Sequence, residues 1–415
     1  MMGVLLSLSL LLTGCLPDAG STNNDRDRFT EIPTFPVDTD ADVTPTPPQD
    51  DQVPIPEFIT ALLAPGPTLE GTERAFFRNG RDFWSITTGE EPDVSETLPP
   101  GTRFGAYATS PHGQRAAIVI ISDVDDQPVE TVHIVANSQL GPPVTPQRFT
   151  AGPDAQSAIH SLVWSRDATR IAIVYDEPVI EILEIARADA GPPQIVQQFA
   201  LPDGYRSIER IDWATTSAGI AILAETPSGA GSLWIASPAG DLFEVPGATL
   251  DGQRSIADIA WLPGRGRIAF VEERGSSPMA GGSMFSIAPD GTGRELLVSS
   301  GNFAPAAELI NISASPGGNF IAFTVYVPGS GGDETFHSGW IANIDSGDVT
   351  QIPVSTGFRI TDFWWMVDGL LWRAVHRSAD VPGPLTEYAG FEPFLIGMFN
   401  PDDGASGVLF QSDAD

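Results

Sequence analysis

Any chemistry in this chain would have to be built from few reactive side chains. Its 415 residues include five histidines, His112, His133, His160, His337 and His376, and one cysteine, Cys15. No His-Glu-x-x-His pair or other tight metal spacing occurs, so each histidine reads as structural or solvated. All 21 basic residues are arginine. Without lysine there is no Schiff-base amine, no P-loop lysine and no Ser–Lys dyad. The Gly-x-Ser-x-Gly elbow of an α/β serine hydrolase is missing. Gly264-Arg265-Gly266-Arg267 imitates a dinucleotide fingerprint, but it sits between two apolar runs, as a hairpin turn would, and opens no helix. A lone cysteine forms neither an internal disulfide nor a multi-thiolate metal site. These residues lead to the expectation of no catalytic site, no bound metal, no cofactor beyond a lipid at Cys15, and a protein that is not an enzyme.

Carboxylates, by contrast, are plentiful. There are 54 acidic residues against the 21 arginines, a net charge of −33, so the basic footprint that nucleic acid requires is absent. Several acids gather with aromatics in segments that the repeat pattern places in long loops. Asp333, Glu334 and Phe336 lie in one such segment, and Asp380, Glu387 and Tyr388 in another. Asp123, Asp125, Asp126, Glu272 and Glu273 extend the same face. This is the candidate binding face, a negative surface suited to a cationic partner or a divalent ion.

The elements that must carry these loops repeat along the chain. An apolar strand, a polar turn and a second apolar strand recur seven times from residue 57 onward. Leu162-Val163-Trp164-Ser165-Arg166-Asp167 before Ile171-Ala172-Ile173 is one copy; Ile312-Ser313-Ala314-Ser315-Pro316-Gly317-Gly318 before Ile321-Ala322-Phe323 is another. The first copy is read as a strand over Ile59-Thr60-Ala61-Leu62-Leu63 leading to Ala75-Phe76-Phe77. The matching positions Leu63, Thr109, Trp164, Trp213, Trp261, Ala314 and Trp365 are 46, 55, 49, 48, 53 and 51 residues apart. A third strand follows in each copy and a fourth, more polar one in several. Four short strands every 50 residues or so, with no long helix between them, predict an all-β propeller of seven four-stranded blades, with six as the alternative. Stacking hides the apolar faces of the blades and closure leaves only short edges. The tryptophans at one repeat position are then packing between blades rather than a platform for sugars.

The first residues have a different character. Val4–Leu12 is apolar apart from Ser7 and Ser9. As a helix it spans only about 14 Å, against a hydrocarbon core of about 30 Å, so it reads as a signal-peptide core over residues 1–14. Residues 15–56 are rich in Asp, Pro and Thr without apolar periodicity, an acidic disordered tether. The propeller occupies 57–413.

Leu12-Thr13-Gly14-Cys15 resembles the lipobox of bacterial lipoproteins. That resemblance implies a lipid on the Cys15 sulfur and cleavage before it. Leu16 follows where the family's inner-membrane retention signal has aspartate, which implies the outer membrane in a cell that has two. The turns Ser110-Pro111-His112-Gly113 and Ser315-Pro316-Gly317-Gly318, each followed by an Ile-Ala-type strand, resemble the WD-like repeats of TolB-type β-propellers. The resemblance covers the body of the chain and implies its fold. It leaves function open, since such repeats serve both periplasmic scaffolds and the lids of prolyl oligopeptidases. The expectation is a lipid-anchored, non-enzymatic propeller of the cell envelope, binding an envelope protein or polymer through its long-loop face. The alternative is a metal-assisted hydrolase or lyase with carboxylate ligands near the propeller channel.

Overall fold

The computed structural model describes residues 54–67, 69–125, 127–137, 139–145, 148–149, 158–185, 193–248, 255–273, 282–303, 307–327, 336–355, 357–376 and 393–412. Pro54–Asp415 forms one compact unit. It is a seven-bladed antiparallel β-propeller. Blades three to seven have four strands each, in sequence order across the sheet. Blade two carries a fifth short strand, Arg148–Phe149, and blade one shows three strands among the described residues.

The sequence repeats explain the stacking. The second strands are apolar at consecutive positions, as a strand covered on both faces requires. Ile171, Ala172, Ile173 and Val174 are each at most 1 % exposed. The alanine of the Ile-Ala pair has a specific use. Ala117, Ala172 and Ala221 share apolar clusters with Trp164, Trp213 and Trp261, the repeated tryptophans of the following blades. A small side chain in one blade leaves the volume that the next blade's indole fills. Two of these rings, and Trp365 at the same repeat position, also cross the interface by a hydrogen bond. The indole N–H of Trp164 donates to the Ala108 carbonyl, that of Trp213 to Val163, and that of Trp365 to Ser313, at 3.1, 3.1 and 3.2 Å. The packing reading of the tryptophans therefore holds.

The turns that open with serine are self-capped. The hydroxyl oxygens of Ser110, Ser165 and Ser315 each accept from the backbone N–H five residues on, at 3.1, 2.9 and 3.0 Å. Gly113 has φ of +65°, and a Cβ there would stand 2.2 Å from the Arg74 carbonyl oxygen. Only glycine meets both demands.

Seven apolar clusters fill the seven blade interfaces. The one between the last blade and the first contains Phe77, Ile86, Leu371, Phe394 and Ile396, so the ring is closed. The seam is made mainly by side chains. Its backbone part, among the described residues, is a parallel bridge between Thr72 and Met366, with Thr72 N–H donating to the Trp365 carbonyl at 2.9 Å and Val367 N–H to the Thr72 carbonyl at 3.1 Å.

The expected strand over residues 59–63 is instead a helix, Glu57–Leu62. Pro56 precedes it with φ −60°, Glu57 lies in its first turn, and Ile59 and Leu62 fall three apart on one buried face. Leu62 wedges into the cluster between blades four and five, where a side chain at Gly219 would strike it. From there the chain crosses the turn ends as a strap. Leu69 N–H donates to the Pro316 carbonyl at 3.2 Å before the strap reaches Thr72.

Candidate functional site

The first strand of each blade from two to seven lines the central channel: Thr102–Thr109, Ile159–Trp164, Ser207–Trp213, Ser255–Leu262, Glu308–Ala314 and Phe358–Met366. Each carries a register break at an equivalent place. The breaks fall between Phe104 and Tyr107, Ile159 and Ser161, Ile208 and Arg210, Ile256 and Asp258, Ile310 and Ser313, and Ile360 and Asp362. A bulge adds an unpaired residue and re-aims the side chains beside it. Here it leaves His160 and Glu209 exposed beside the channel and sets Asn311 at φ +55°.

Three cavities lie along the channel. The first, ≈ 450 Å³, is walled by His160, Ser161, Glu209, Arg210 and Asn311, with Arg166 at its turn end. The second, ≈ 390 Å³, lies beside Tyr107, Asn311, Thr361 and Asp362. The third, ≈ 210 Å³, lies under the strap, between Leu69, Glu70 and Thr72, the turn bearing His112, and Trp364 and Trp365 of the strand Phe358–Met366.

Ion pairs in the channel wall join the blades. Arg210 of blade four pairs with Asp258 of blade five at 2.7 Å and donates to the Ile312 carbonyl of blade six at 2.7 Å. Asp258 also accepts from the Ile312 N–H at 2.8 Å. Burial raises the Asp258 pKa, while Arg210 and the backbone N–H groups act against that rise. Arg166 of blade three reaches Asp212 of blade four at 2.7 Å, and the other Asp212 oxygen accepts from Trp261 N–H of blade five at 2.7 Å.

Blade one lacks a channel-lining strand among the described residues, and side chains cover that edge. Thr109 Oγ1 accepts from Phe76 N–H at 3.2 Å, and Arg373 donates to the Arg78 carbonyl at 2.9 Å. Across the gap, the Tyr107 hydroxyl donates to Asp362 at 3.1 Å. Burial, and then the Asp362 carboxylate, push the Tyr107 phenol above its usual range, which keeps it a donor.

Of the residues expected on the binding face, Asp333, Glu334, Asp380, Glu387 and Tyr388 lie outside the described residues, as does Cys15. Phe336 opens the third strand of blade six, its backbone paired with Val327. Glu272 belongs to no loop: it is 2 % exposed in a strand and pairs with Arg294 at 2.9 Å. The channel residues escaped the sequence reading, yet a signal was there. Phe104/Tyr107, Ile159/Leu162, Ile208/Ile211, Ile256/Ile259, Leu309/Ile312 and Ile360/Phe363 are apolar pairs spaced by three. A strand has period two, so a repeated spacing of three marks a bulge.

No protein-family model matches the chain, and no curated protein matches it. Solved structures do. An oligogalacturonate lyase in complex with manganese is 13% identical with a TM-score of 0.52, over 84% of this chain and 87% of that one. A structure from a study of two prolyl endopeptidases is 12% identical with a TM-score of 0.53, over 86% of this chain but 52% of that one. A putative TolB from Agrobacterium tumefaciens is 15% identical with a TM-score of 0.42, over 64% of this chain and 84% of that one. At such identities the likeness is one of fold. It corrects one expectation: enzymes are built on this same propeller, so the want of a familiar catalytic motif does not make the chain a non-enzyme. Among the described residues no three His, Cys, Asp or Glu side chains come together to hold an ion.

Proposed function

We propose that the protein is a cell-envelope propeller, tethered to a membrane by a lipid on Cys15, that holds a segment of an envelope protein or polymer in its central channel. The observation that supports this most is the set of bulges, repeated in six channel strands, beside a polar cavity of ≈ 450 Å³. Concave sites with a few convergent polar groups are where ligands bind, and bulges are enriched beside such sites. The lipobox-like Leu12-Thr13-Gly14-Cys15 and Leu16 support anchoring in the outer membrane of a cell that has two. Among the described residues no helix is long and apolar enough to cross a membrane.

The test is affinity capture from the native envelope, read by mass spectrometry, with wild type, Ser161→Trp and Cys15→Ser compared. Ser161 lines the cavity and is partly exposed, so an indole there obstructs the channel. The expected result is loss of specific partners with Ser161→Trp and release of Cys15→Ser into the soluble fraction. Identical partners for Ser161→Trp would remove the channel from the reading.

A further inference from the structure

Building on the channel reading, we infer that the group received by the channel is a cation: an alkylammonium or guanidinium, carried by a polyamine or by Lys and Arg side chains of a peptide. The inference follows from which charges in the cavity walls are already matched. Both arginines lining the first cavity are engaged, Arg166 by Asp212 and the Trp213 carbonyl, Arg210 by Asp258 and the Ile312 carbonyl. Each positive charge is therefore already matched by a carboxylate. The acids Asp212, Asp258 and Asp362 are likewise matched, the last by Tyr107 and Arg373.

Two cavity-lining carboxylates among the described residues have no cationic partner. Glu209 is exposed on the bulge of blade four, with the Ser207 hydroxyl as its hydrogen-bond donor. Glu70 is exposed on the strap beside the third cavity. The free charge along the channel is therefore negative, inside a molecule of net charge −33. A cleft of one sign concentrates ions of the other and repels its own. A slender cation fits where an anionic polymer would face both the field and arginines whose charge is already matched.

The experiment uses purified protein and four probes: spermine, tetralysine, an acidic tetrapeptide and the neutral sugar maltohexaose. Titration calorimetry at low salt should show spermine or tetralysine binding, weakened by added salt. Glu209→Gln should weaken it by about five- to tenfold, the scale of one partly solvated charge pair, and Glu209→Lys should abolish it. Glu209 is exposed, so these variants keep the fold, and an unchanged melting temperature verifies that. Spermine alone binding names a polyamine as source; tetralysine alone names a peptide. No binding of either cation, or cation binding indifferent to Glu209→Gln, overturns the inference. Maltohexaose or the acidic peptide bound in a Ser161-sensitive way, with neither cation bound, overturns it while leaving the channel reading intact.

Discussion

Replacing Asp258 by alanine takes away a side chain that, together with Arg210, joins blades four, five and six. Asp258 is 4 % exposed. It accepts from Ile312 N–H at 2.8 Å and from Ile259 N–H at 2.8 Å, and it pairs with Arg210. In Asp258→Ala the Ile312 N–H, on a fully buried residue, loses its acceptor, which costs about 1–3 kcal/mol. Arg210 is about a third exposed, so water takes over much of its lost partner and that part adds only about 1 kcal/mol. The total is about 2–4 kcal/mol. Asp258→Asn keeps one acceptor for Ile312 but turns an N–H2 toward Arg210, and should cost roughly half as much. The assay is urea unfolding of the two variants, Arg210→Ala, and Asp258→Ala with Arg210→Ala. The double variant should lose less than the sum of the singles, by about 1 kcal/mol or more, because the two side chains share one interaction. Single costs under about 1 kcal/mol that simply add would refute the three-blade linkage.

Two further outcomes follow from the packing. Trp213 is fully buried and donates to the Val163 carbonyl; Trp213→Phe should cost about 1–3 kcal/mol and Trp213→Ala at least about 3–5, read as lowered thermal midpoints. His133 holds its neutral form, with ring nitrogens facing the Gly141 carbonyl and the Thr131 hydroxyl, and burial lowers its pKa although the Gly141 bond opposes this. The unfolded chain then takes up the proton at higher pH than the folded one, so stability present at pH 7 is lost as the pH falls below about 6.5. His133→Gln should flatten the melting temperature between pH 7 and pH 5.5.

The propeller was legible because its physics is written locally. Each Ile-Ala strand carries its own two-sided burial, each Ser-Pro turn its own cap, and each tryptophan the volume left by the preceding blade's alanine. The opening of the propeller was not, because Ile59–Leu63 is a short apolar run whose period distinguishes helix from strand poorly. Pro56 and Glu57 were the better guide. The site was hidden for a different reason. Glu209 and Arg210 look like ordinary strand residues until pairing with Leu223 and Ala224 shows that one residue has no opposite number. Bulges are made by two strands together, and only the spacing of three betrays them in one. The long-loop residues were singled out for their acidity and length, properties that do not say where a ligand sits.

The strap has a mechanical consequence. A pull on the chain at residue 54 would first meet the Leu62 wedge, then the Leu69–Pro316 bond, and only then the Thr72–Met366 bridge that helps shut the ring. Load arriving from that end is spent on two outlying fastenings before it touches the seam. The circle can therefore stay whole while its leading segment peels.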